Sequence, residues 1–322
     1  MYGQMQFADF VVCWALQALS RSLQKVGEYD RDAGLSGSGE QILRSSDAKA
    51  LSQTAEQILS LWQMMQWSVG KVEYRQAKED LRQIVELTTG RRLPERLAAG
   101  RLLERAAGKN ARLLEQIMKV VVSEAAEPAA ARERLGELLR AESGRWRGYA
   151  LLRQAEESAL IEHGILRAFG KAEKLSRKLD AIAEADGAAA SARRLRRAAR
   201  WTHHAVNHLE LLRPALSESG RTRRWHLTRL AAKLDEQWAL EKLARTTVVM
   251  DLRPKASARL GKLIRAQRVR LETQRGKLSV GAYAGGSEAY RGEVTEAVAE
   301  LRLEQISLLP LESLHRSEKE IG

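Results

Sequence analysis

The chain contains only five prolines, Pro94, Pro128, Pro214, Pro254 and Pro310, and each sits where a helix could start or stop. A proline inside a helix removes a backbone donor and clashes with the preceding turn, so these positions mark boundaries. Between them run Ala, Leu, Glu, Arg, Lys and Gln, the best helix formers. Alternating strand patterns are nearly absent. "TTVVMDL" at 246–252 is the only β-branched cluster, and it reads equally well as a helix end. The fold class is therefore all-α.

Turn chemistry and apolar spacing predict helices over about 6–27, 47–68 and 71–89, a fourth that follows the break at "TTGRRLPERL" and runs to about 107, and further ones over 110–124 and 128–140. The plan then repeats: a long helix over 144–184 (broken near Gly164 or Gly170), then 190–213, 222–246, 255–279 and 288–306. The segment "VGAYAGGSEAYRGE" reads as a loop leading into the last of these. Long helices joined by short turns imply antiparallel bundles. Two such sets suggest an internal duplication: one domain over 1–300, an N-terminal half 1–142, a C-terminal half 143–306, and a charged, frayed tail 307–322.

The 322 residues carry a formal net charge of +13, which points to an anionic partner: nucleic acid, a membrane surface or a phosphate polymer. The single cysteine, Cys13, excludes an internal disulfide or a multi-cysteine metal site and suits a reducing, cytoplasmic setting. The run "FADFVVCWALQAL" is interrupted by Asp9 and lacks a basic leader, so it reads as a packed first helix rather than a signal peptide. Nothing else approaches transmembrane length.

The positive charge concentrates in "ARRLRRAARWTHHAVNHLELLRP", residues 192–214. At helical spacing Leu195, Ala198, Thr202, Ala205, Leu209 and Leu212 form a bundle seam. Arg193, Arg196, Arg197, Arg200, His204 and Asn207 share the other side. From 191 to 230 there are ten arginines against two acids, Glu210 and Glu218. Each planar guanidinium can bind two phosphate oxygens, so a one-signed arginine face suits a phosphate chain. Aromatic residues total 5%, too few for the stacking platforms that single-stranded nucleic acid favours.

His204 and His208 lie four apart on one face with Glu210 nearby, a spacing that can hold zinc. No cysteine or HExxH glutamate accompanies them, so the preferred reading is that the imidazoles extend the basic surface and titrate near neutral pH. His203 or Trp201 alternatively packs at the bundle edge. No metal or other cofactor is implied.

"HLELLRP", through Leu209, Leu211, Leu212, Arg213 and Pro214, resembles the closing motif of the basic helix in the CHAD family, the conserved histidine α-helical domain. The following "RLAAKLDEQWALEKL" keeps the family's leucines at Leu230, Leu234, Leu240 and Leu243. "HGILRAFGKAEKL" is similar to the family's basic motif at Gly164, Arg167 and Lys171, with Phe169 for a tyrosine. "EYRQAKEDLRQIVELTTGRRL" resembles its first-half counterpart at Tyr74, Arg75, Leu81, Arg82 and Arg92. "GAYAGGSEAYRGEV" is similar to the short aromatic loop before the last helix. The resemblance touches residues 5–300, and the order of the pieces carries it.

The departures are specific. Lys49 and Arg196 stand where the signature histidines would be. Ser52, Gln53, Glu56 and Gln57 replace basic residues of the first basic helix; Ala199 and His203 do so in the second. Ala239 replaces an aspartate. The resemblance thus describes a divergent member whose first anion-binding face is largely lost. It implies two helical bundles related by a pseudo-two-fold, non-catalytic binding of inorganic polyphosphate on a basic surface between them, and association with polyphosphate granules. The contacts implied are Arg75, Arg82, Arg92, Arg167, Lys171, Arg193, Arg196, Arg197 and Arg200, extended by His203 and His204. Arg221, Arg223 and Arg224 form a further cluster at a helix start, where cations oppose the macrodipole and so suggest an expected anion.

Other classes stay open. A nucleic-acid-binding protein would use the same charge, with Trp201 and Trp225 as the aromatics. A scaffold whose anion site has decayed would expose an apolar patch such as "SLWQMMQW". An enzyme is disfavoured, since no acid–base pair, nucleophile motif or phosphate-cradling loop is legible.

Overall fold

The computed structural model describes residues 6–36, 45–89, 93–104, 108–122, 128–152, 157–181, 188–248 and 252–308. Among them the chain is helical throughout, with no strand. The helices are α1 (Phe7–Ser36), α2 (Ser45–Met65), α3 (Lys71–Thr89), α4 (Leu93–Leu103), α5 (Lys109–Val122) and α6 (Pro128–Leu152). The short α7 (Glu157–Ala159) runs through a π-helical segment, Leu160–Leu166, into α8 (Arg167–Ala181). Then come α9 (Ala188–Leu211), α10 (Glu218–Val248), α11 (Pro254–Ala282) and α12 (Gly286–Leu308).

The boundaries explain themselves locally. Pro128 and Pro254 open α6 and α11, where a missing N–H costs nothing. The predicted break between 140 and 144 does not occur; α6 continues to Leu152. Glu142, fully buried, accepts hydrogen bonds from the indole Nε1 of Trp62, from Trp146 Nε1 (2.9 Å) and from Arg145 Nη1 (2.7 Å). Arg145 also binds Asp80 on α3. This knot joins α2, α3 and α6 and holds the helix across Ser143-Gly144. The expected division at 142/143 therefore falls inside one helix. The glycine-rich loop also shrinks, to Tyr283–Gly285, because Gly285 and Gly286 take positive φ (69° and 63°) and turn α11 directly into α12. Phe169 stacks on Tyr290 at 4.0 Å and fastens α8 to α12. Most of the expected tail, residues 309–322, lies outside the described residues.

Two hydrophobic cores result. The larger draws on α1, α2, α3, α6, the π segment, α8, α9, α10 and α12. The smaller joins Leu102 of α4, Leu114 and Ile117 of α5, Leu243 of α10 and Leu260 and Ile264 of α11. Helix α10 serves both: Leu227, Leu230 and Leu234 enter the first, Ala239, Leu240 and Leu243 the second. First-half helices thus pack on second-half ones, α4 on α10 and α2 on α9. The described residues hold no helix long and apolar enough to cross a membrane.

At the crossing of α2 with the π segment, a Cβ on Gly164 would lie 2.4 Å from Met64 Cγ and 2.7 Å from the Met64 carbonyl oxygen. Backbone cannot yield as a side-chain tip does. Gly164→Ala should therefore lower stability by about 1–3 kcal/mol, read as a shift in denaturation midpoint.

Candidate anion-binding surface and cleft

The seam of α9 is buried as its spacing predicts: Leu195, Ala198, Thr202, Ala205, Leu209 and Leu212 are all at most 4% exposed. The opposite face leaves Arg193, Arg196 and Arg197 exposed and Arg200 half-buried. Helix α8 brings Arg167 and Lys171 beside it; α3 brings Lys78 and Arg82. Arg75, also on α3, is exposed.

These charges press on one another. Burial lowers the Lys171 pKa, and Arg167, Arg197 and Arg200 lower it further. Burial likewise lowers Lys78, reinforced by Arg82, Arg200 and Arg196, with Glu79 opposing. Arg200 is lowered first by burial and then, against Tyr74, by Arg82, Arg196 and Arg197. None of Arg82, Arg167, Lys171, Arg196, Arg197 and Arg200 forms an ion pair among the described residues. What steadies two of them is aromatic: Lys171 Nζ sits 4.3 Å from the Trp201 ring centroid, and Arg196 Cζ 5.4 Å from that of Trp238.

The histidines behave differently from the sequence expectation. His203 Nε2 lies 2.6 Å from Asp235 Oδ2. Burial acts against its charge, but Asp235 wins and pushes the pKa up to about 9. Its imidazolium is therefore neutralised within the protein. His204 and His208 are buried because α2 docks on this side of α9. His208 Nε2 donates to the Ser60 carbonyl oxygen at 2.9 Å, which fixes the tautomer since a carbonyl only accepts. The Ser60 hydroxyl donates to the Glu56 carbonyl (2.9 Å) and accepts from Asn207 Nδ2 (2.8 Å). Its remaining lone pair accepts His204 Nδ1–H at 2.9 Å. Burial drives His204 well below its ordinary pKa, with His208 and Arg200 adding to it, and lowers His208 to about 4. Neither extends the basic surface, and the zinc-like spacing serves helix docking.

The cluster at the start of α10 also dissolves. Arg223 is 7% exposed, pairs with Glu293 (2.7 Å) and donates to the Ala282 and Ala284 carbonyls. Arg224 pairs with Glu210, which also takes Arg213. Arg221 is exposed. Arg92 lies outside the described residues. Most of the apolar run "SLWQMMQW" is core, with Leu61, Trp62, Met64 and Met65 at most 1% exposed, while Trp67 at its end is 42% exposed.

Where the two cores part, a cleft of about 680 Å³ opens between α2, α3, α4, α9, α10 and α11. Arg82, Arg196 and Arg200 line it, as do Glu56, the His203–Asp235 pair and Trp238. Lys78, Asp235 and Trp238 were missed by sequence reasoning. Lys78 stands four residues after Tyr74 and four before Arg82, a spacing that places all three on one side of α3. Asp235 and Trp238 carry no such signal, because only the docking of α10 brings them to α9.

No protein-family model matches this chain, and no curated protein or solved structure matches it significantly.

Two histidines of α9 give opposite pH slopes. The His208 pKa is depressed, so its contribution to stability is present above the unfolded value near 6.5 and is lost as pH falls towards 4. That loss amounts to about 3 kcal/mol. The His203 pKa is raised, so its contribution is full below 6.5 and is lost as pH rises through about 9. Stability, measured by denaturation against pH, should peak near 6.5 from this pair, and His208→Gln should flatten the acid side.

Arg223→Ala should destabilise by about 3–5 kcal/mol by leaving buried Glu293 unpaired, while polyanion affinity of the folded protein is unchanged. Paired denaturation and binding titrations check both halves of that statement.

Proposed function

We propose that this chain is a non-catalytic binder of inorganic polyphosphate, or a similar phosphate polymer, on the surface where α3, α8 and α9 meet. The observation that carries the reading is the meeting of Arg82, Arg167, Lys171, Arg196, Arg197 and Arg200 without carboxylate partners, close enough that the neighbouring guanidiniums lower the pKa values of Lys171 and Arg200. Exposed Arg75 and Arg193 flank them on the same helices. A phosphate chain supplies what the protein withholds: closely spaced negative oxygens that each guanidinium can take in pairs.

The reading agrees with the CHAD resemblance in its Arg/Lys positions on α3, α8 and α9, and describes a divergent member. The halves 1–142 and 143–306 would then correspond to the family's two pseudo-symmetric bundles. A cytoplasmic place on polyphosphate granules belongs to the same proposal. The nucleic-acid reading is weaker because its aromatics already hold cations of the chain: Lys171 sits over Trp201, and Arg229 over the half-exposed Trp225 at 4.1 Å. The scaffold reading loses most of its patch to the core, leaving Trp67 alone of that run's large apolar side chains exposed.

Calorimetric titration with long-chain polyphosphate tests the proposal, with single-stranded DNA and RNA of matched charge as competitors. Affinity should fall steeply with salt as counterions are released. Each charge-assisted contact is worth about 1.5–3 kcal/mol, so Arg196→Glu with Arg200→Glu should weaken binding roughly a hundredfold or more. Equal affinity for all three polyanions would reduce the surface to a generic electrostatic one, and no binding at low salt would remove the function.

A further inference from the structure

The cleft between the cores does not suit a polymer along its whole length. Arg82, Arg196 and Arg200 line part of it, but so do Glu56, Glu79 and Glu86, which form no ion pair among the described residues. Asp235 and Glu236 complete the acidic share, the first holding His203 and the second Arg101 and Lys233. A chain of phosphates threading this space would meet carboxylates at nearly every turn. The remaining wall is apolar, through Leu59, Val85, Trp238, Leu240 and Leu271.

We propose that this cleft takes a small organic phosphate, a phosphate monoester whose body carries hydroxyl or amino donors. Its volume of about 680 Å³ lies in the ordinary range for small-molecule sites. The phosphate goes to the guanidiniums of Arg82, Arg196 and Arg200, which lack any other counter-charge. The donors go to the Glu56 carboxylate, which lines the cleft, is open to solvent and accepts from no side chain in the described residues. The body lies along Trp238, Leu240 and Leu271. The inference rests on the same guanidiniums as the polyphosphate reading, yet the two ligands respond oppositely to Glu56. That carboxylate attracts a donor-bearing monoester and repels a bare polyanion.

Calorimetry on the full chain with adenosine 5′-monophosphate, glucose 6-phosphate and inorganic tripolyphosphate separates them. At least one of the two monoesters should bind, and Arg82→Gln should weaken it. Glu56→Leu should weaken it by roughly tenfold or more while tripolyphosphate binding holds or tightens. If Glu56→Leu does not fold, Glu56→Gln is read in its place, with the same signs expected. Tripolyphosphate binding with no heat from either monoester at millimolar concentration would overturn the cleft inference and leave the polyphosphate reading standing. A monoester that binds and ignores Glu56 would overturn it too. Failure of all three ligands would overturn both.

Discussion

Everything at the site follows from one long helix being shared by two cores that do not merge. Helix α10 has 31 residues, about 46 Å of helix. Its first half is packed from the side of α9 and α12, its second half by α4, α5 and α11. A helix of that length has more apolar surface than one layer of neighbours can cover, so two sets of neighbours form. Where they part, polar side chains from both sets face a common space. The cleft is the seam between two packing solutions, and Asp235 and Trp238 line it because they stand on α10 between Leu234 and Leu240.

The second constraint is the docking of α2 on α9. Two helices approaching on a polar side must satisfy every group they bury. Here a single hydroxyl does most of that, since Ser60 donates once and accepts twice, reaching its full capacity. His204 and His208 complete the contact as neutral rings. The docking sets the height of α9 against α3 and so brings Arg82 and Lys78 towards Arg196 and Arg200. The basic surface is therefore tertiary, built from cations of α8 and α9 and of α3, which is far from them in the chain.

That division explains what could be read in advance. The helices were legible because their evidence is local: proline placement, glycine turns and the apolar spacing of α9, whose six seam positions are all buried. The arginine face was legible for the same reason. The roles of the histidines were not, because spacing on one helix does not say whether another helix covers it. His203, His204 and His208 look alike in sequence, yet one is held charged by Asp235 and two are kept neutral against Ser60. The run 140–146 reads as a break because Ser143-Gly144 is weak helix, and the indole of Trp62 that reaches Glu142 comes from a distant helix, joining the Arg145 and Trp146 donors of α6. Arg223 resembles a surface cation until its distant partner, Glu293, is placed beside it.

The chain has acids in reach of its cations and uses them selectively. Arg101, Arg145, Arg223, Arg224, Arg268 and Arg291 all pair with carboxylates. The group on α3, α8 and α9 does not, although Lys78, Lys171 and Arg200 are partly buried and their pKa values are lowered. Like charges held this close destabilise a helical surface, and the cation–π contacts with Trp201 and Trp238 offset only part of that. A bound anion would remove the repulsion. It would also gain more here than at a paired surface, because no internal ion pair has to break before the guanidiniums can turn to it. Partly buried cations left without carboxylates on this surface, in a protein that pairs its largely buried Arg145 and Arg223, are the physical case for a ligand.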